Sequence, residues 1–427
     1  MNASPRLWKN RAGEDDAVML AGSWMQSLIA AVAMVASSLP GAPAPQAPAR
    51  IAPPDGWVAS WGVAVTQAGP TGPSATGVRN TTIRQVAHLS LGGGSIRLRL
   101  SNRFGKQPLV VGASSVAPRK GGAGTPNLEL LKSLPVTYGG RAAITIPVGA
   151  ESVSDPVDLP IGDDSDVVIS TYFPGPTGPL TQHPAGYASA FSATGNQTRA
   201  GGAPYRKIPG MARFVVSGVD VKTRAEGTIV LFGDSITDGA SSPVDGNLRY
   251  PDQLADRLTK RRYAVVNAGI GGNRLLVNGG VSGEAAIARF ERDVVRRSGV
   301  RAVVILEGIN DIRAGRGAIS GAQLINAHRQ LIARAHAAGL RVYGATLTPY
   351  WAADHYTVGG EVARQALNQW IRTAGEYDGY VDSEHAVRDP YQPLRIAPGY
   401  DSGDHLHPNA KGFTAMAHAA DLDLLTS

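Results

Sequence analysis

Apolar residues follow two different rhythms along the chain, and the change falls near residue 226. Between residues 56 and 222 apolar and polar positions alternate in short runs, as in residues 95–100, and clusters of Gly and Pro separate the runs. A period of two is typical of strands that bury one face. The pattern predicts an antiparallel β-sandwich or jelly-roll-like accessory domain over residues 56–222.

After residue 226, short and continuous apolar runs alternate with helical patterns. The predicted strands are residues 228–232, 264–267, 300–306 and 340–346. The predicted helices lie near residues 251–262, 283–297, 320–338, 360–374 and 409–424. This alternation predicts an α/β domain over residues 227–427, with a parallel sheet covered on both faces by helices. Functional residues of such a sheet gather beyond the carboxyl ends of its strands.

The first 49 residues have the pattern of an export signal. Arg6, Lys9 and Arg11 precede an apolar stretch over residues 28–36, and a segment rich in Pro and Ala follows. We predict a signal peptide or leader with a Pro-Ala linker, and therefore a secreted or extracytoplasmic protein. The apolar stretch is short for a membrane span, so no stable membrane insertion is expected. An uncleaved anchor or a disordered leader is the alternative.

Composition narrows the functional classes. The 427 residues are 43% hydrophobic and 18% charged, which suits a globular protein with two cores. The chain has no cysteine, which excludes disulfides and thiolate metal sites. The formal charge is +7, but the arginines are dispersed, and we predict no nucleic-acid partner. The oligomeric state is unknown from the sequence.

One serine lies at a strand end, where α/β domains usually carry their functional residues. Ser235 lies three residues past the first predicted strand of the α/β half, in GDSITDG. A nucleophilic serine needs a base, a group that orients the base, and donors for the developing oxyanion. Near the C terminus Asp404 precedes His407 by three residues, so its carboxylate can reach the imidazole. An Asp–His pair that caps the last helix is the alternative.

Two further strand ends carry candidate donors. The second predicted strand of this half runs into NAGIGGN, where Gly272 lets a backbone N–H approach a reacting oxygen. The third ends in EGIND, where Asn310 offers a side-chain amide. An ordinary turn explains either feature when it stands alone. Their order along one α/β unit favours a catalytic site.

In that order the motifs GDSITDG, NAGIGGN, EGIND and DHLHP resemble the four blocks of the SGNH/GDSL hydrolase family. The resemblance covers residues 228–427 and implies a three-layer α/β/α fold that hydrolyses carboxylic esters. It implies that Ser235 is the nucleophile and also an oxyanion donor through its backbone N–H. Gly272 and Asn310 would be the other donors. His407 would act as general base and acid, and Asp404 would orient it.

Three further carboxylates, Asp234, Asp238 and Asp311, flank these positions. They could suggest a metal site, but carboxylates beside Gly or Asn turns more often accept hydrogen bonds from backbone N–H groups. No histidine-rich ligand spacing accompanies them. We therefore predict a structural role for them, and neither a metal nor another cofactor.

Several residues are candidates for the walls of a substrate pocket. His183 lies in a polar stretch of the β-rich half, where a surface loop is the simpler interpretation. Trp57 and Trp61 could stack on sugar rings, although tryptophans in a β domain more often pack the core or the seam between domains. The pocket-lining candidates are Asp234, Arg274, Glu307 and His183.

A β-rich domain ahead of a hydrolase domain resembles the layout of some secreted carbohydrate esterases. The sequence predicts a serine esterase for short acyl or acetyl esters, on a small molecule or a polysaccharide. A lipase or phospholipase and an acyltransferase are alternatives within the same chemistry. A carbohydrate-binding protein with an inactive hydrolase fold is the alternative from another class.

Overall fold

The computed structural model describes residues 55–427, so the leader and linker predicted for residues 1–49 lie outside the described residues. Residues 57–222 form antiparallel sheets and one short helix, α1 (Gly72–Thr76). The strands are β1 (Trp57–Gly62), β2 (Thr81–Leu89), β3 (Ser95–Ser101), β4 (Leu109–Val111), β5 (Ala113–Pro118), β6 (Leu134–Val136), β7 (Ile144–Ile146), β8 (Glu151–Val153), β9 (Ser165–Phe173), β10 (Gln182–His183), β11 (Ala190–Thr194), β12 (Arg206–Lys207), β13 (Arg213–Phe214) and β14 (Val216–Lys222).

Two main sheets of this half enclose an apolar core. Their strand orders are β1-β14-β3-β8 and β12-β11-β2-β9-β5-β6, and β4-β7 and β10-β13 form two short ladders. Ile83 and Ile169 from one sheet and Leu98 and Val219 from the other belong to a single buried cluster. The antiparallel β-rich half is confirmed, and the jelly-roll connection of its strands stays a prediction. Trp57 and Trp61 are buried, so the core-packing interpretation is confirmed.

The second half contains a parallel sheet with the order β16-β15-β17-β18-β19. Its strands are β15 (Gly227–Gly233), β16 (Tyr263–Gly269), β17 (Val300–Leu306), β18 (Arg341–Ala345) and β19 (Gly379–Val381). The helices are α2 (Ser235–Asp238), α3 (Tyr250–Leu258), α4 (Ala286–Phe290), α5 (Ile309–Gly315), α6 (Gly321–Ala337), α7 (Val358–Thr373), α8 (Ser383–Val387), α9 (Ala410–Ala419) and α10 (Leu422–Leu425). The predicted parallel sheet with helices is confirmed. Within the described part of the chain, no helix is long and apolar enough to cross a bilayer.

The predicted helices are present with changed bounds. Residues 251–262 divide into α3 and a 3-10 turn at Thr259–Arg261, and residues 283–297 divide into α4 and a π-helical segment at Glu291–Val295. The prediction of one continuous helix near residues 409–424 is wrong, because the structure has two helices there, α9 and α10. Ala420 has an extended ψ of 120°, and Asp421 caps a new helix, α10. The sequence analysis missed the short elements α2, α5, α8 and β19.

The two halves pack directly on each other, since the described residues, 55–427, belong to one compact unit. The side chain of Ser90 accepts a hydrogen bond from Val265 N at 2.9 Å, on the edge strand β16. Buried Arg297 donates to the carbonyl oxygens of Val63, at 2.9 Å, and Ser217, at 3.1 Å. A division into separate domains between residues 222 and 227 stays a prediction.

Candidate active site

Ser235 lies at the junction where β15 ends and α2 begins. Asp234 is the N-cap of this helix, and its Oδ1 accepts a hydrogen bond from Ile236 N at 2.9 Å. The turn packs tightly against the sheet, because a Cβ on Gly233 would lie 2.2 Å from Thr237 Oγ1. A short helix at a strand end therefore carries the Ser235 hydroxyl beyond the carboxyl edge of the sheet, as predicted for a functional residue.

The Ser235 hydroxyl meets a histidine that comes from the other end of the domain. Ser235 Oγ lies 2.8 Å from His407 Nε2, and His407 Nδ1 lies 2.5 Å from Asp404 Oδ2. Because a carboxylate only accepts hydrogen bonds, Nδ1 carries the proton and Nε2 is free to accept one from the hydroxyl. The arrangement is that of a nucleophile, a base and a group that orients the base.

Asp404 is held as a carboxylate by its surroundings. Its Oδ1 accepts from the backbone N–H groups of His407, at 2.8 Å, and Leu406, at 3.0 Å. Burial raises the pKa of Asp404, but the hydrogen bonds from His407 and Leu406 outweigh it and lower this pKa to about 2. The cap of α9 is Asn409, whose Oδ1 accepts from Lys411 N and Gly412 N. The helix-cap interpretation of the Asp404–His407 pair is therefore wrong.

His405 belongs to a second Asp–His pair in the same loop. Its Nδ1 lies 2.6 Å from Asp401 Oδ2, and the side chain is half exposed. The side chains of His405 and His407 thus contact different carboxylates, those of Asp401 and Asp404. This pair helps to hold the loop that carries His407.

Gly272 lies in a tight turn directly after β16. Asn273 N donates to Ile270 O at 3.0 Å, and Gly272 has a φ of +73°. These values fit a type II turn, which requires a positive φ at its third residue. The first central N–H, that of Gly271, donates to Asp238 Oδ2 at 2.9 Å. Within residues 55–427, the N–H groups of Gly272 and Ser235 donate to no other group of the chain.

Asn310 approaches the same turn from α5. Its Nδ2 donates to Asn273 O at 3.0 Å, and its Oδ1 accepts from Arg313 Nη1 at 3.2 Å. These contacts fix the direction of the amide and leave its second N–H for another acceptor. The structure thus brings a serine, an Asp–His pair and candidate donors to one edge of the sheet.

A fully buried arginine, which sequence reasoning missed, ties the strand ends together below the site. Arg289 donates to Gly233 O and to Ala268 O, both at 2.8 Å, and to Asn273 Oδ1 at 2.9 Å. Its Nη2 also lies 3.2 Å from Glu307 Oε1. The sequence carried one signal for this burial. Arg289 lies on the same face of α4 as Ala286 and Phe290, which are both buried.

Three of the four pocket-lining candidates, Asp234, Glu307 and His183, lie inside the protein. Asp234 and Glu307 are fully buried, so neither can line an open pocket. Burial raises the pKa of Asp234 to about 7 and the pKa of Glu307 well above its usual range. Arg274 is partly exposed, and its guanidinium donates to Asn278 O at 3.1 Å.

His183 and the flanking carboxylates also have defined partners. His183 is 2% exposed and lies in β10, so the surface-loop interpretation is wrong. Asp311 accepts from Leu275 N and Leu276 N, and Asp238 accepts from Gly271 N. Hydrogen bonding of these carboxylates to backbone N–H groups is confirmed. Among the described residues no group of three or more His, Asp or Glu side chains is placed to hold a metal ion.

The model of the GDSL-like lipase/acylhydrolase family matches residues 231–415. Among solved structures, a carbohydrate acetylesterase from Sinorhizobium meliloti is 17% identical, with a TM-score of 0.36 over 45% of this chain and 95% of that one. The aryl esterase of M. smegmatis is 15% identical, with a TM-score of 0.38 over 45% and 95%. A GDSL-like lipase from Bacteroides thetaiotaomicron is 21% identical, with a TM-score of 0.33 over 45% and 84%. No curated protein matches the chain.

Proposed function

We propose that the chain, whose residues 231–415 match the GDSL-like lipase/acylhydrolase family, is a carboxylic ester hydrolase that cleaves esters through a triad of Ser235, His407 and Asp404. The observation that carries the proposal is the unbroken hydrogen-bonded path from hydroxyl to carboxylate, with distances of 2.8 Å and 2.5 Å. A lone Asp–His pair is common, but one that ends on a serine at a strand–helix junction has the geometry of an activated nucleophile.

In the first half of the reaction Ser235 Oγ attacks the ester carbonyl while His407 Nε2 takes the hydroxyl proton. Asp404 stabilises the imidazolium that forms. The oxyanion of the tetrahedral intermediate accepts hydrogen bonds from Ser235 N–H, Gly272 N–H and Asn310 Nδ2–H. These are the N–H groups that the surrounding chain leaves at least partly unused.

The second half returns the enzyme to its starting state. The intermediate collapses, the alkoxide leaves with the proton from His407, and the acyl group stays on Ser235 Oγ. Water then attacks the acyl carbonyl as His407 takes one of its protons. The carboxylic acid leaves, and the proton returns to Ser235 Oγ.

For the substrate we propose short acyl or acetyl esters, carried by a small molecule or a polysaccharide outside the cytoplasm. A surface pocket of about 250 Å³ lies on the loops that follow β18 and α8. Trp351, which is 44% exposed, lines it together with Pro393 and Leu394, whereas Tyr350 is buried and packs the core. Trp351 follows β18, whose carboxyl end lies at the same edge of the sheet as Ser235, and its exposed ring suits the apolar face of a sugar.

The test compares the wild type with Ser235→Ala on esters from acetyl to long-chain acyl groups and on an acetylated polysaccharide. We expect turnover by the wild type and a loss on the order of 10⁴-fold or more in Ser235→Ala. Ser242→Ala is the matched control, since Ser242 is a nearby buried serine with no assigned role. Wild-type turnover by Ser235→Ala would refute the assigned nucleophile, and a maximum with long acyl chains would favour a lipase.

A further inference from the structure

One buried histidine of the β-rich half reaches into the hydrolase half. His183 Nε2 lies 3.0 Å from Asp238 Oδ1, and His183 Nδ1 lies 2.8 Å from the carbonyl oxygen of Ala64. The side chains of His183 and Asp238 are each 2% exposed. This contact joins a strand of the antiparallel half to the short helix that begins with Ser235.

The two partners of His183 hold its ring from two sides. Nδ1 faces the carbonyl oxygen of Ala64 and Nε2 faces Asp238 Oδ1, so each ring nitrogen has a hydrogen-bond partner. The pair is buried, and a buried polar group that loses its partner destabilises the fold. The contact therefore has a defined geometry.

Asp238 passes this constraint to the turn beside Ser235. Its two oxygens are shared: Oδ1 faces His183, and Oδ2 accepts from Gly271 N at 2.9 Å. The nearby cation Arg249 is bonded to Asp252 through Nε and Nη2, both at 2.8 Å, so it does not replace His183 as the partner of Asp238.

The orientation of the turn decides where the Gly272 N–H points. The peptide between Gly271 and Gly272 is the central peptide of the turn, and type I and type II turns differ mainly by a rotation of this peptide. The φ of +73° at Gly272 corresponds to the type II form. The bond from Gly271 N to Asp238 Oδ2 fixes the preceding peptide, between Ile270 and Gly271, and so limits how the adjoining central peptide can rotate. Asp238 therefore helps to select the direction of the Gly272 N–H.

We propose that His183 is a positioning residue for ester hydrolysis: it fixes Asp238, which fixes the turn that presents the Gly272 N–H to the oxyanion. The inference rests on the proposed function, since it concerns the same site. It gives the β-rich half a role in the chemistry, because that half supplies the residue. His183 does not touch the reacting atoms and acts through Asp238.

The test measures kcat and KM of His183→Leu on an acetyl ester. Leucine has a similar bulk and no hydrogen-bonding group, so Asp238 Oδ1 loses its partner in the β-rich half. We expect kcat to fall about 10- to 100-fold, less than the 10²–10³ for removal of a whole oxyanion donor, and KM to stay within about threefold. A boronic acid that forms a tetrahedral adduct on Ser235 should lose affinity by a similar factor, because it uses the same donors.

His88→Leu is the matched control. His88 also lies in the β-rich half and is paired with Asp166 at 2.9 Å and Asp164 at 3.0 Å, without contact to α2 or to the Gly271–Gly272 turn. It should lower the melting temperature, as His183→Leu does, and leave kcat and boronic-acid affinity unchanged. Equal kcat losses in the two variants would reduce His183 to a general structural role and overturn the proposal.

His183→Gln tests the chemistry of the contact, since its amide can donate to Asp238 as Nε2–H does. We expect partial recovery of kcat relative to His183→Leu, and Gln as defective as Leu would contradict the proposal. Asp238→Asn, alone and with His183→Leu, gives a second measurement if His183→Leu fails to fold. The kcat loss of the double variant should be much smaller than the sum of the two single losses, expressed as free energies. Additive losses would contradict the proposal. A wild type without esterase activity would instead refute the proposed function.

Discussion

At the scale of single residues, Asp234 is both the cap of a helix and a buried carboxyl group. It caps the helix of Ser235 through Oδ1, and it is fully buried. Its Oδ2 has no hydrogen-bond partner among the described residues. Burial raises its pKa to about 7. The folded protein therefore holds a proton at Asp234 that the unfolded chain releases near its ordinary pKa of 3.8.

This leads to a prediction about pH and stability. Because the pKa of Asp234 is higher in the folded state, its contribution to the unfolding free energy is greatest below about pH 4, falls as the pH rises to about 7, and is then constant. Asp234→Asn keeps an oxygen for Ile236 N and removes the titration. We expect this variant to lose less stability than the wild type between pH 5 and 7, measured by urea denaturation at several pH values. If the unfolding free energy of the two proteins depended on pH in the same way, the assignment to Asp234 would be wrong.

At the scale of elements, the turn of residues 270–273 depends on a glycine that an L-residue cannot replace without strain. A Cβ on Gly272 would lie 2.7 Å from Ser282 Oγ, and the φ of +73° disfavours other residues. Gly272→Ala should therefore favour rotation of the central peptide and move the N–H away from the oxyanion. Loss of one donor predicts a fall in kcat on the order of 10²–10³ with a smaller effect on KM.

Gly339→Ala is the control for this prediction, because Gly339 has a φ of +71° with open space around its Cα and follows α6 before β18, away from the carboxyl ends of the strands. It shares the backbone strain of Gly272→Ala and should lower only the melting temperature. The measurement is steady-state kinetics beside thermal unfolding. Near-normal kcat in Gly272→Ala would remove Gly272 from the oxyanion donors.

At the scale of the whole molecule, the two halves are joined by buried polar contacts as well as by apolar packing. Thr228 Oγ1 accepts from Ala59 N at 3.0 Å, and Arg297 links one helical segment to Val63 and Ser217. Unfolding of either half alone would break these bonds and expose apolar surface of the other half, such as that around Ala59 and Ala264, to water, which is costly. The halves should therefore unfold together.

Calorimetry of the full chain checks this cooperativity. We expect one main transition whose calorimetric and van't Hoff enthalpies agree. Arg297→Met should lower its midpoint or divide it, since methionine keeps part of the packing and loses the donors to Val63 O and Ser217 O. Two separate transitions in the wild type would show that the halves are energetically independent, and would weaken the case for a contact such as that of His183 across them.

Much of the fold follows from local patterns. The alternation in residues 95–100 predicted β3, and the apolar run in residues 300–306 predicted β17, because period and length reflect which faces are buried. The short elements α2, α5 and α8 have too few residues to show a helical period. The break at Ala420 was also missed, although Asp421, which caps α10, was a local signal for the start of a new helix.

The sequence by itself determined the two kinds of sheet and the candidates Ser235, Asp404 and His407, because strand ends and short-range spacing are local properties of the chain. Only the tertiary structure decided which side chains meet. It buried Glu307 and Asp234, placed Arg289 beneath the strand ends, and brought His183 against Asp238, 55 residues away. Such contacts depend on long-range packing and on the need to pair every buried polar group, and no local period encodes them.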